Sequence, residues 1–117
     1  MPGEPQDDCL FCKIVAGTIP ATIVRETETT VAFRDINPQA PTHVVIIPRA
    51  HIPSLNEADD AATIGRLSLM AARVARMEGL AERGYRTVVN TNADAGQTVF
   101  HVHLHLLGGR AMGWPPG

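Results

Sequence analysis

No stretch of this 117-residue chain is long and apolar enough to span a membrane, no run of lysine and arginine gathers positive charge, and only two cysteines occur. Each shortage excludes something. A membrane span needs roughly 20 consecutive apolar residues, and residues 1–8 have neither the positive start nor the apolar centre of a signal peptide. A soluble cytoplasmic protein with no membrane partner is therefore expected. Ten basic against twelve acidic residues leave a net charge of −2, with no basic face for nucleic acid, so any phosphate ligand must be held by local hydrogen bonds. Two cysteines in a reducing compartment argue against a structural disulfide. There is no internal repeat and no linker, and the length fits one domain: a flexible, polar tail over residues 1–8 and a single domain over residues 9–117.

The pattern of the rest is α+β. A short helix is expected over residues 9–16, with Asp7 or Asp8 able to cap it and Gly17 to end it. Strands are expected at residues 23–26, 31–35 and 43–47, where β-branched residues are bounded by turn signals. Ser54-Leu55-Asn56-Glu57 matches a capping box, and Asn56 or Asp59 could also cap, which starts a long helix near residue 58. Ile64, Leu67, Ala71 and Val74 recur at helical spacing until Gly79. Two more strands, 86–90 and 100–107, flank a polar loop at residues 91–98. Strands, helix, strands in that order predict a five-stranded antiparallel sheet with one long and one short helix.

What is present in excess is histidine in one place. Five histidines occur in the chain, and three of them stand in His101-Val102-His103-Leu104-His105-Leu106-Leu107. Side chains alternate along a strand, so the three imidazoles share one face while Val102, Leu104 and Leu106 fill the other. Same-face neighbours lie roughly 6.7 Å apart, so two imidazolium charges would repel by about 2.5 kcal/mol at an effective dielectric of 20. The row should be mostly neutral near pH 7 and available as nucleophile, proton carrier or metal ligand. Just before it, Ala95-Gly96-Gln97-Thr98-Val99 offers a glycine that lets backbone N–H groups approach a phosphate, with Gln97 and Thr98 as side-chain donors. Cys9 and Cys12 stand at i and i+3 on one helix face, a spacing suited to zinc but also compatible with free buried thiols or a redox pair. The redox reading is disfavoured, because no βαβ context precedes the pair.

The alternating histidine run resembles the signature of the histidine triad family of nucleotide-binding hydrolases. Further likeness lies in Asp35-Ile36-Asn37-Pro38-Gln39-Ala40-Pro41-Thr42-His43, in the stretch from Asn90 to Gln97, in Gly108-Gly109-Arg110 and in the closing Trp114-Pro115-Pro116-Gly117. These last two segments are similar to the purine nucleoside phosphoramidase branch. The resemblance covers residues 9–117 and implies the histidine triad fold, paired into a homodimer with one ten-stranded sheet.

The resemblance also implies roles. His103 becomes the nucleophile that forms a nucleotidyl-histidine intermediate, His105 contacts the phosphate, and His43 supports the ring of His103. Phe11, Ile14, Phe33 and Ile36 form the apolar wall for the base, and Asp35, with Asn90 nearby, takes the ribose hydroxyls. Gly96, Gln97, Thr98 and Val99 hold the phosphate; close relatives more often have Ser where this chain has Thr98. Trp114 would border the leaving-group pocket of the partner subunit. In bacterial members with the cysteine pair, a histidine after the third strand and the first triad histidine complete a closed structural zinc site, here Cys9, Cys12, His51 and His101. The implied activity is hydrolysis of the phosphorus–nitrogen bond of purine nucleoside phosphoramidates to the monophosphate, with no metal needed for the chemical step. The alternatives are hydrolysis of dinucleoside polyphosphates and a nucleotide-sensing interaction module with incidental hydrolysis.

Overall fold

The computed structural model describes residues 3–117, so Met1 and Pro2 of the expected tail lie outside the described residues. In chain order the elements are α1 (Leu10–Ala16), β1 (Ile23–Glu26), β2 (Thr30–Arg34), β3 (Thr42–Pro48), a 3-10 turn (Leu55–Glu57), α2 (Ala61–Met77), β4 (Tyr85–Val88), α3 (Asn92–Ala95) and β5 (Leu104–Gly108). The strands form one antiparallel five-stranded sheet in the order β1-β2-β3-β5-β4. This is the α+β architecture the sequence pattern predicts.

Both faces of the sheet are covered. On one, Leu67, Met70, Ala71 and Val74 of α2 pack on Ala32, Val44, Ile46, Leu104 and Leu106. On the other, Cys9, Phe11 and Cys12 of the α1 region pack on Val31, Phe33, Val45 and Ile47. Central β3 feeds alternate residues to each side, which is why Val44-Val45-Ile46-Ile47 is an unbroken apolar run rather than an alternating one. Each fully buried side chain of this kind contributes about 1.5–3 kcal/mol.

Several boundaries differ from the sequence reading for identifiable reasons. Cys9, not Asp7 or Asp8, caps α1, its Sγ accepting from the Cys12 N–H at 3.2 Å. The Ser54–Glu57 pair forms, but it closes the 3-10 turn: Ser54 Oγ accepts from the Asn56 N–H at 3.1 Å and donates to the Glu57 carboxylate. The long helix starts later, capped by Asp60, whose Oδ1 accepts from the Ala62 N–H at 2.9 Å. Residues 91–98, expected to be all loop, contain the one-turn α3, closed by Gly96 in the left-handed region at φ 85°.

The most consequential difference is at β5. It starts at Leu104 rather than near Phe100, so of the three alternating histidines only His105 lies within the regular strand. The partner strand supplies the reason. β3 pairs with β5 from Thr42↔Gly108 to Ile46↔Leu104, and two residues further it reaches Pro48, which has no N–H to extend the ladder. The Pro48 carbonyl instead accepts from His101 Nε2 at 2.8 Å, and the Val102 N–H donates to the Ile52 carbonyl at 2.6 Å. Upstream, Gly3 and His51 exchange backbone hydrogen bonds of 3.1 and 3.2 Å, and the Gln6 N–H lies 3.5 Å from Cys12 Sγ as a donor. The described part of the segment expected as a tail therefore lies against the Cys12–His51 region.

Candidate active site and metal centre

Three elements bring the histidines together. In the β3–β5 pairing His105 stands opposite Val45 and His43 opposite Leu107, which makes the two histidines diagonal neighbours on one face. Asp35, one residue past β2, is fixed across from His43 by its N–H donating to the His43 carbonyl at 3.0 Å. The ring centroids of His103 and His105 are 4.9 Å apart, and those of His43 and His105 are 5.1 Å apart.

The hydrogen bonds fix the tautomers. His103 Nδ1 lies 2.8 Å from the His101 carbonyl, an acceptor only, so Nδ1 carries the proton and Nε2 keeps its lone pair. The backbone N–H of Gln39 donates to His43 Nδ1 at 3.0 Å, so neutral His43 carries its proton on Nε2. That proton is donated to His105 Nδ1 at 2.9 Å, with Asp35 Oδ2 at 3.4 Å as a second acceptor. His105 in turn must carry its own proton on Nε2. The site thus offers one nucleophilic nitrogen on His103 and one N–H donor on His105. The expectation that His43 supports His103 is corrected: its ring supports His105, and the His101 backbone orients His103.

The same burial keeps these rings neutral. His105 is pushed down to about 4, first by desolvation and then by His103 and His43. His103 and His43 are lowered as well, again chiefly by burial and against the opposing field of Asp35. The neutrality predicted from mutual repulsion is present, but desolvation is its larger cause. Asp35, His43 and His105 also place three ligand atoms within 4.8 Å of one another. Because His43 Nδ1 is occupied by the Gln39 N–H, Nε2 is a donor in the neutral ring, and the trio is a hydrogen-bond relay rather than a metal set.

His103 and His105 form one end of a cavity of about 500 Å³. Phe11, Ile14, Phe33, Asp35, Ile36, Asn90, Gly96, Thr98 and Val99, all expected at the site, line it, with Ile36 fully exposed at the rim. Phe11 is set edge-on to Phe33, at 5.5 Å, and to His103, at 5.0 Å, which joins the apolar wall to the nucleophile. Asp35 Oδ1 accepts from the Asn37 N–H at 2.8 Å, which holds the carboxylate at the wall.

Two expected residues are elsewhere. Gln97 is buried but absent from the lining: its Oε1 accepts from the Asn92 N–H at 2.9 Å and its Nε2 donates to the carbonyls of Pro53 and Val99 at 2.9 and 3.1 Å. It shapes the loop instead of presenting its amide to a phosphate. Trp114 is 82% exposed and lines no part of the cavity within one chain. Sequence reasoning also missed Gln39 and Pro48, which act through backbone groups; only the missing N–H of proline left a readable signal.

Behind the triad lies a second cluster. Cys9, Cys12, His51 and His101 place their ligand atoms within 4.8 Å of one another. The Cys9 Sγ–His101 Nδ1, Cys12 Sγ–His51 Nδ1 and Cys12 Sγ–His101 Nδ1 distances are 3.4, 3.3 and 3.5 Å. On a tetrahedral ion with bonds of about 2.3 Å to sulfur and about 2.05 Å to nitrogen, such a pair would lie about 3.6 Å apart. The chemistry fits as well as the spacing. His101 Nε2–H is held by the Pro48 carbonyl, which leaves the Nδ1 lone pair toward the sulfurs, and N–H groups of Cys12 and Gln6 face Cys9 Sγ and Cys12 Sγ. Burial pushes His101 down to about 4, which leaves its imidazole neutral and able to ligate, and raises the Cys12 thiol, so a metal binding there must displace that thiol proton. These four residues can hold a metal ion, and a zinc ion is compatible with them.

Comparison with known proteins agrees with this geometry. The HIT domain model matches residues 16–112. The purine nucleoside phosphoramidase of Escherichia coli is 48% identical over 109 residues, covering 92% of this chain and 92% of that protein. A HIT-like protein of Synechococcus elongatus is 50% identical over 113 residues, covering 95% of this chain and 98% of its own length. The crystal structure of a HIT family hydrolase from Legionella pneumophila superposes with a TM-score of 0.92 at 54% identity, covering 94% of this chain and all of that one. None of the described helices is long and apolar enough to cross a membrane.

Proposed function

Because this chain belongs to the HIT domain family, whose members include hydrolases that match it over nearly their whole length, we propose that it is a purine nucleoside phosphoramidase. The observation that carries this reading is the tautomer of His103: Nδ1–H donates to the His101 carbonyl at 2.8 Å, and Nε2 is left as a neutral nucleophile in the wall of the cavity. His103 Nε2 attacks the α-phosphorus, the phosphorus–nitrogen bond breaks, and the leaving nitrogen takes a proton from solvent and departs as the amine. The phosphorus is then held on His103 as a nucleotidyl-histidine. Water attacks it, releasing the monophosphate and restoring the imidazole. His105 Nε2–H hydrogen-bonds the phosphate oxygens as charge gathers there, with its donor orientation set by His43 and, beyond it, by the Gln39 N–H.

The purine lies between Phe11, Ile14, Phe33 and Ile36, and the ribose hydroxyls meet Asp35 beside Asn90. An apolar slot stacks on either purine and reads few of its edges, so discrimination between adenine and guanine is poor. Gly96, Thr98 and Val99 border the phosphate, and Thr98 supplies a hydroxyl. Zinc is the ion assigned to Cys9, Cys12, His51 and His101; four protein ligands close its coordination and leave the chemical step to the histidines. The protein works in a reducing cytoplasm, where both thiols stay available as ligands.

Rapid-quench turnover of an adenosine phosphoramidate tests the scheme. An acid-labile adduct on His103 is expected, and His103→Asn should lose turnover while binding adenosine monophosphate within about tenfold of wild type. Wild-type-like turnover by that variant overturns the assignment. A diadenosine polyphosphate run in parallel separates phosphoramidase from polyphosphate hydrolase by the ratio of kcat/KM.

A further inference from the structure

The two sites meet at a single residue. His101 is fully buried, and its three polar handles go to three places: Nδ1 to the sulfurs of Cys9 and Cys12 at 3.4 and 3.5 Å, Nε2–H to the Pro48 carbonyl at 2.8 Å, and its own carbonyl to His103 Nδ1–H at 2.8 Å. This stretch has no sheet ladder to hold it, because regular pairing ends at Leu104. The backbone that orients the nucleophile is therefore held largely by the His101 side chain and by the Val102 N–H on the Ile52 carbonyl.

The cysteines reach the cavity by a second path. Cys9 caps α1 and Cys12 lies within it, and Phe11 between them is edge-on to His101 at 5.9 Å and to His103 at 5.0 Å. Phe11 is also part of the cavity wall. Whatever fixes the two sulfurs fixes the angle of α1 against the triad, and hence this wall.

We infer that Cys9, Cys12, His51 and His101 form a positioning centre for the reaction: with a metal on these four groups, His101 locks the orientation of His103 and α1 locks Phe11, so metal occupancy sets nucleotide binding and turnover in addition to fold stability. This rests on the phosphoramidase reading of the same cavity. His101 is a positioning residue, acting on substrate only through His103. His51 is the informative member, since it meets Cys12 Sγ at 3.3 Å and lines no part of the catalytic cavity.

The test compares zinc-loaded protein with protein dialysed against a chelator, at one pH, by imidazole 15N spectra of His103 and by calorimetric titration with adenosine monophosphate. In the loaded protein His103 should show a single Nδ1–H tautomer. In the folded metal-free protein that signal should average with the Nε2–H form, and the nucleotide should bind at least tenfold more weakly. Zinc should restore both. His51→Ala at one equivalent of zinc should behave like metal-free protein and recover at excess zinc, a rescue that simple misfolding does not give. A folded metal-free protein with unchanged His103 signals and nucleotide affinity within twofold overturns the inference. Should the metal-free chain unfold, protein loaded with cadmium serves: its longer bonds to sulfur must shift the His103 signals, and unshifted signals overturn the inference. Failure of the zinc-loaded protein to bind the monophosphate strikes the phosphoramidase reading and leaves the tautomer comparison to decide this one.

Discussion

At the scale of single residues, the site works by giving each imidazole one defined proton. His103 is held by a carbonyl, His43 by a backbone N–H, and His105 by His43. Burial then keeps the rings uncharged, and this has a measurable consequence. His105 has its pKa depressed to about 4 from the ordinary 6.5, so between those values the unfolded chain binds a proton that the folded chain does not. Stability should be level above pH 6.5, fall as the pH drops toward 4, and lose nothing more to this group below that. Urea midpoints measured across this range should decline less steeply for His105→Gln than for wild type, and parallel slopes would remove His105 as a source of the dependence. The type and face of these histidines were legible in the sequence, since alternation alone puts three rings on one side. Which ring supports which was not, because the deciding partners are backbone groups of Gln39 and His101 that no side-chain pattern encodes.

At the scale of elements, small irregularities aim the side chains. Pro48 ends the β3–β5 ladder, and the residues freed from it, 101–103, carry His101, one of the four residues that can hold a metal ion, and His103, the proposed nucleophile. The start of β5 is not legible in its own sequence, because apolar residues continue past the point where pairing stops; the stop signal sits in the partner strand. The loop after β4 shows the same limit. Gly96, Gln97 and Thr98 look like a row of phosphate donors, yet Gln97 is turned inward, linking Asn92, Pro53 and Val99. Gln97→Ala would leave these backbone groups without their partner at a cost of about 1–3 kcal/mol. The expected result is a lower urea midpoint together with weaker nucleotide binding, as Gly96 and Thr98 lose their support. Weaker binding at unchanged stability would instead make Gln97 a direct phosphate contact.

At the scale of the whole molecule, the sheet is unfinished. β4 pairs with β5 on one side only, and its other edge runs along Tyr85–Val88, where the Tyr85 side chain is left exposed by one chain. An edge left unpaired in so small a protein offers free backbone groups to a partner, and a second copy joined at this edge would give one ten-stranded sheet. The C-terminal residues run beside the same edge: the Gly113 carbonyl accepts from Arg86 Nη2 at 2.8 Å, and Met112, Gly113 and Pro115 border a groove with Arg86, Val88 and Leu107. With Pro115 and Pro116 the segment cannot extend a ladder, and it leaves Trp114 82% exposed, held out from its own chain. In a dimer joined at this edge, as proposed, a large ring presented in this way would border the partner's cavity near the end where the amine leaves, away from the ribose and phosphate contacts. The 117-residue chain should therefore scatter light as a dimer. Deletion of residues 111–117 should leave a dimer that binds adenosine monophosphate as before but ranks a series of leaving amines differently by kcat/KM. A monomeric 117-residue chain would remove the shared sheet, and a truncated dimer with an unchanged ranking would place Trp114 outside the reaction altogether.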